Sequence, residues 1–104
     1  MQDLSAPDGT QSLRTCTEIR AAYEELVGGN RQTACSRDED CHLVFGQCGR
    51  GLGGCYHAVN HTVRQADVDA LGDRYQELMC FGPVCACAPP PPVECRTRRC
   101  VLRL

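Results

Sequence analysis

Residues 41–59 read CHLVFGQCGRGLGGCYHAV, and this stretch decides the fold. From Cys41 to Phe45 the residues alternate, with Cys41, Leu43 and Phe45 on one face and His42 and Val44 on the other, the period of a strand. GRGLGG over residues 49–54 is a connection rich in glycine, and CYHAV over residues 55–59 predicts a second short strand. Two strands joined this way make a hairpin, and it carries three cysteines, Cys41, Cys48 and Cys55.

Working toward the N-terminus, Thr15 and Glu18 form a capping box. Cys16, Ile19, Tyr23 and Leu26 then recur at helical spacing until Gly28 and Gly29, which predicts a helix over residues 16–27. Residues 1–14 are polar and small and read as a leader, so a single domain is expected over residues 15–104. Working toward the C-terminus, Thr62 with Gln65 predicts a second capping box. Val68, Leu71, Tyr75 and Leu78 predict an amphipathic helix ending near Cys80, slightly weakened by Gly72. Cys85-Ala86-Cys87 reads as a short extended segment whose two cysteines have different partners. Pro89, Pro90, Pro91 and Pro92 form a stiff spacer without backbone donors. Residues 93–104 read as a closing hairpin, Cys95 and Cys100 flanking a turn over residues 96–99. The expected fold class is α+β: a small disulfide-rich domain of two helices and a short antiparallel sheet of about four strands.

The chain has 104 residues and ten cysteines, Cys16, Cys35, Cys41, Cys48, Cys55, Cys80, Cys85, Cys87, Cys95 and Cys100. A chain this short buries a modest core, and an even count of this density points to a disulfide scaffold in an oxidising compartment: secreted, periplasmic or at the outer cell envelope. Cys16, alone on its helix, is expected to bridge out of it. Residues 1–13 have neither a basic start nor an apolar run, so the chain is read as a mature product whose leader was removed. No stretch approaches the roughly 20 apolar residues of a membrane span. A net charge of -2 gives no pull toward nucleic acid.

Gly49, Gly51 and Gly54 match G-x-G-x-x-G, but a cysteine and a strand follow where a nucleotide-binding helix should open. Cysteine knuckles of the zinc type are not evident; Cys80 with Cys85 and Cys95 with Cys100 come nearest, and His57 with His61 supplies the other candidate ligands. No metal or cofactor is expected. C-x-x-C, G-x-S-x-G and H-E-x-x-H are all missing, and no odd thiol is left over, so no catalytic residue is expected. Asp38, Glu39 and Asp40 read as a solvated turn, since the glycine and distal glutamate of a calcium loop do not follow. Asn60-His61-Thr62 is a formal glycosylation sequon. All eleven basic residues are arginine. Arg96, Arg98 and Arg99, held between Cys95 and Cys100, would present guanidinium groups to a protein partner.

Asp40-Cys41 with its apolar strand, the glycine-rich turn between Cys48 and Cys55, Ala58-Val59-Asn60, Cys80, Cys85-Ala86-Cys87 and Cys95 to Cys100 before Val101-Leu102 together resemble the eight-cysteine-cluster proteins of myxobacteria and related bacteria. The resemblance covers about residues 35–102. It implies a secreted or lipid-anchored address at the bacterial cell envelope, and no catalytic residue. The expected function is a non-enzymatic extracytoplasmic module with a structural or protein-interaction role. A serine protease inhibitor presenting residues 96–99 is the alternative, and a structural metal-binding domain is the third.

Overall fold

The computed structural model describes residues 12–103. The order of elements is helix α1 (Cys16–Gly28), a single turn α2 (Asn30–Thr33), a 3-10 turn (Asp38–Asp40), strand β1 (Cys41–Phe45), a second 3-10 turn (Cys48–Arg50), strand β2 (Tyr56–Asn60), helix α3 (Gln65–Glu77), and strands β3 (Val93–Arg96) and β4 (Arg99–Leu102). The α+β class and four strands are as expected, but they form two separate two-stranded antiparallel sheets, β1-β2 and β3-β4, rather than one. The register pairs Leu43 with Ala58 and Val44 with His57 in the first sheet, and Cys95 with Cys100 in the second.

β1-β2 lies between two apolar clusters. Val44 and Val59 point to the helices, where they join Ile19 and Tyr23 of α1, Val63, and Val68, Leu71 and Tyr75 of α3. Cys41 and Ala58, on the opposite face, meet Cys100 of the closing hairpin, with Val93, Cys95 and Leu102 around them. Helices, first sheet and closing hairpin thus form three layers. The hairpin layer is too small to bury a core of its own, and its seam is largely sulfur.

Local chemistry explains the helix ends. Thr15 Oγ1 accepts from Glu18 N at 3.0 Å while Glu18 Oε1 accepts from Thr15 N at 3.1 Å, closing the expected capping box. Residues 1–11 of the expected leader lie outside the described residues; Leu13 packs against the core and its carbonyl accepts from Arg74 Nε at 3.0 Å. The second capping box is not the expected one. α3 starts at Gln65 after Arg64, whose N–H donates to Asp67 Oδ2 at 3.1 Å. Thr62 instead donates to Asn60 Oδ1, and the Gln65 amide both donates to Phe45 O at 2.9 Å and accepts from Phe45 N at 2.7 Å, extending the strand's hydrogen bonding. At the other end α3 stops at Glu77, short of Cys80. Met79, with φ 58, takes the left-handed position while its N–H donates to Gln76 O and Cys80 N donates to Tyr75 O, a Schellman closure without glycine. Gly72, expected only to weaken the helix, makes room there: a Cβ would displace the Gln47 amide, which is buried and donates to Asp69 Oδ1 at 2.9 Å.

All ten cysteines are paired: Cys16–Cys80, Cys35–Cys95, Cys41–Cys100, Cys48–Cys85 and Cys55–Cys87. Cys16 bridges out of its helix and Cys85 and Cys87 have different partners, as expected. Every Cα–Cα distance, 5.6 to 6.0 Å, suits an unforced bridge. Cys16–Cys80 joins the start of α1 to the segment after α3, 64 residues apart. Replacing both Cys16 and Cys80 by alanine is expected to cost about 4 kcal/mol, the restriction of the unfolded chain by a loop of that length, read as a lower denaturant midpoint.

Tyr23 knits the helical layer to the first sheet. Its hydroxyl donates to Gly53 O at 2.7 Å and accepts from Gln47 N at 3.1 Å, so the contact from His57 Nε2 at 2.9 Å is a donation by the neutral ring. Burial pushes the His57 pKa below its ordinary value. The unfolded chain therefore binds a proton at a pH where the folded one does not, so stability is complete above the unfolded pKa of about 6.5 and falls as the pH drops toward the folded value. His57→Gln, which keeps a donor toward Tyr23, should flatten the loss of thermal midpoint between neutral and mildly acidic pH.

Candidate functional site

The closing hairpin folds back on the body. Its two central residues, Thr97 and Arg98, have φ of 54 and 65, the left-handed pair that a tight two-residue hairpin turn requires and that asparagine and glycine adopt most readily. The tip is tied down from outside: Cys35 N donates to Arg98 O at 3.2 Å, and Ala34 bridges to Arg99. Asp38 Oδ1 accepts from Cys95 N at 2.8 Å, and the Cys35–Cys95 and Cys41–Cys100 bridges fix both strands.

The three arginines expected to act together are separated by this geometry. Arg96 is drawn back along β3 to Glu94, which also accepts from Arg103 Nε at 3.0 Å. These two guanidinium groups hold the Glu94 carboxyl below the usual carboxylate range. Arg99 donates to Asn30 Oδ1 at 3.3 Å. Arg98 alone has no side-chain partner among the described residues, and it stands on the rim of an open surface basin of about 710 Å³.

One wall of the basin is Ala34, Cys35 and Ser36 with Asp40; the other is Asn60, His61 and Thr62. Asp40 Oδ2 accepts from Ser36 N at 2.8 Å and Arg37 N at 3.1 Å, and these backbone donors lower its pKa. The acidic run is thus a braced 3-10 turn rather than a loose one. Asn60 Nδ2 donates to Arg31 O at 2.6 Å and Ala34 O at 3.0 Å, and Oδ1 accepts from Thr62 N and Oγ1, so the sequon amide is consumed in joining the two walls. His61 donates from Nε2 to Glu39 O at 3.0 Å, its ring 4.7 Å from that of His42. The backbone thus engages Asp40 Oδ2, Asn60 and His61 before any ligand arrives, and Arg98 is the one guanidinium on the basin's lining, the group able to meet an external anion. No sequence signal places these parts together: the β1-β2 ladder and the Asn60 side chain join the two walls, and the bridges of the closing hairpin set Arg98 on their rim.

Among the described residues, no histidine joins the cysteines in a cluster of possible metal ligands. Sulfurs of Cys35, Cys41 and Cys100, and of Cys48, Cys55 and Cys85, lie within 4.8 Å of one another because neighbouring disulfides pack side by side. No thiolate is left to ligate an ion.

No protein-family model, curated protein or solved structure matches the chain.

A β-branched threonine is poorly suited to the left-handed conformation of position 97. Thr97→Asn should therefore raise stability by about 1 kcal/mol, measured as an increase in thermal midpoint, with the basin unchanged.

Proposed function

We propose that this chain is a non-enzymatic, extracytoplasmic interaction module that docks on a carboxylate of a partner protein through Arg98 and the basin beneath it. The single observation carrying this reading is the contrast among the arginines: Arg96 and Arg99 are engaged internally, while Arg98 is left free on a hairpin tip that two disulfides and three external hydrogen bonds and bridges immobilise. With the backbone of the tip fixed, binding has only the Arg98 side chain left to order, so its charge-assisted hydrogen bonds count more fully toward affinity. The five bridges support an oxidising compartment, and the resemblance to the eight-cysteine-cluster proteins supports a secreted or envelope address. No helix of the described residues is long and apolar enough to cross a membrane.

The protease-inhibitor reading finds no support here. A protease reads an extended segment, whereas Thr97 and Arg98 are left-handed and the Arg96 guanidinium is turned to Glu94.

Titration of the isotope-labelled protein with a tetraglutamate peptide at low salt, followed by NMR, tests the proposal. Shifts are expected at Arg98, His61 and Thr62; they should disappear in Arg98→Gly, which keeps the turn, and persist in Arg96→Ala. No shift at millimolar peptide, or equal shifts in Arg98→Gly, would overturn it.

A further inference from the structure

Between Leu78 and Val93 the chain carries no charged side chain, sixteen residues in succession in a protein that is 23% charged. This run is also where the surface is most apolar. Phe81 is 81% exposed, Met79 74% and Val84 70%, and Phe45, the remaining exposed large hydrophobic residue among those described, is 54% exposed. Phe45 stacks edge-on against Tyr56, whose hydroxyl donates to Ala88 O, so Phe45 adjoins the same run. Met79, Phe81 and Val84 border one shallow groove, and an exposed apolar patch on a small domain marks an interaction surface.

The run is held in place without secondary structure. Cys85 and Cys87 are bridged to Cys48 and Cys55. Gly82 lies in backbone contact with Gly51, a packing in which neither position has room for a Cβ. The Phe81 carbonyl accepts from Arg20 Nη2 at 2.9 Å and Tyr75 Oη at 2.8 Å while its ring points out to solvent. At the far end Arg103 N donates to Pro92 O at 2.8 Å. Among the described residues, no backbone hydrogen bond reaches the amides between Pro83 and Pro89. Met79 adds an independent sign: it occupies a left-handed position that glycine would fill with less strain, and at 74% exposure its side chain does not serve the core.

We infer that residues 78–93 form the interface of a two-fold dimer, with a second copy of this chain as the occupant. Pro83 and Pro89 each stand three residues from Ala86, so an antiparallel copy turned about Ala86 sets Val84 against Ala88 and Cys85 against Cys87. The Ala88 carbonyl is turned to Tyr56, whereas among the described residues no backbone hydrogen bond engages Cys85 or Cys87, whose polar groups are open to exchange hydrogen bonds with the second copy. The two prolines, lacking N–H groups, end the ladder on both sides. Phe81 then meets Pro91 of the second copy, and the uncharged run faces itself without like-charge repulsion. A stable pair needs about 800 Å² from each copy. Phe81 alone supplies on the order of 150 Å² toward it, and Met79 and Val84, each at least 70% exposed, add to it. A lipid surface fits less well, because it offers no partner to the open amides of Cys85 and Cys87.

Sedimentation equilibrium of the oxidised protein, from micromolar to millimolar concentration, tests this. The unmodified chain should dimerise. Phe81→Asp, and Ala86→Lys, which sets two ammonium groups together on the axis, should each weaken association at least roughly tenfold, with the circular dichroism and the mass of five intact bridges unchanged. Met79→Gly should raise the thermal midpoint while weakening association, a split that a purely structural residue would not give. A monomer at millimolar concentration, or a dimer indifferent to Phe81→Asp and Ala86→Lys, overturns the inference. So does a monomer that co-sediments with phosphatidylcholine vesicles, which assigns the ribbon to lipid.

Discussion

Every disulfide in this protein joins the chain before β2 to the chain after α3. Cys16, Cys35, Cys41, Cys48 and Cys55 each pair with one of Cys80, Cys85, Cys87, Cys95 and Cys100, and β2 and α3, which lie between the two groups, carry no bridge of their own. The consequence is a clamp. β2 and α3 are held by conventional burial of Val59, Val68, Leu71 and Tyr75, whereas everything after Glu77 is held chiefly by sulfur to segments laid down before Tyr56. A closing hairpin of eight strand residues and an uncharged ribbon could not bury enough surface to order themselves, so the bridges stand in for a core.

This division of labour leaves the bridged segments free to carry unusual surface chemistry. A segment ordered by burial has to turn its apolar side chains inward. The ribbon is ordered by Cys85 and Cys87 instead, and can keep Phe81 and Val84 in solvent. The hairpin shows the polar version of the same freedom. Its seam with the first sheet is Cys41, Ala58 and Cys100, and its tip can be given over to a charge. The two surfaces therefore differ in chemistry and share a cause.

The sequence made legible what depends on neighbours along the chain. The Thr15 and Glu18 capping box, the periodicity of α1 and α3, the alternation of β1 and the closing hairpin all follow from residues within a few positions of one another. What it left hidden depends on distant residues. Thr62 and Gln65 have the spacing of a capping box, but Asn60 and the Phe45 backbone compete for their side chains and win. Gly72 reads as a flaw until Gln47 is seen lying over it. One sheet became two because β4 is joined to β1 by the Cys41–Cys100 bridge and side-chain packing rather than by a hydrogen-bonded ladder. The pairing of ten cysteines is wholly non-local, and so is the basin on whose rim that pairing sets Arg98.

Three non-glycine residues with positive φ stand among the described residues: Met79, Thr97 and Arg98. Each carries a strain of order 1 to 2 kcal/mol that glycine would relieve. If this strain were only a by-product of folding, it would be indifferent to where partners could bind. Instead, Met79 begins the apolar ribbon and Thr97 and Arg98 form the tip above the basin, the two places where the surface departs most from that of an ordinary small domain. Both sites are also fastened by a pair of neighbouring disulfides, Cys48–Cys85 with Cys55–Cys87 and Cys35–Cys95 with Cys41–Cys100. Strained backbone persists where its surroundings over-determine it. At Thr97 and Arg98 the doubled bridges supply that over-determination, and at Met79 the Schellman hydrogen bonds and the adjoining Cys16–Cys80 bridge supply it; what they hold in place is a set of exposed side chains that the fold itself does not need.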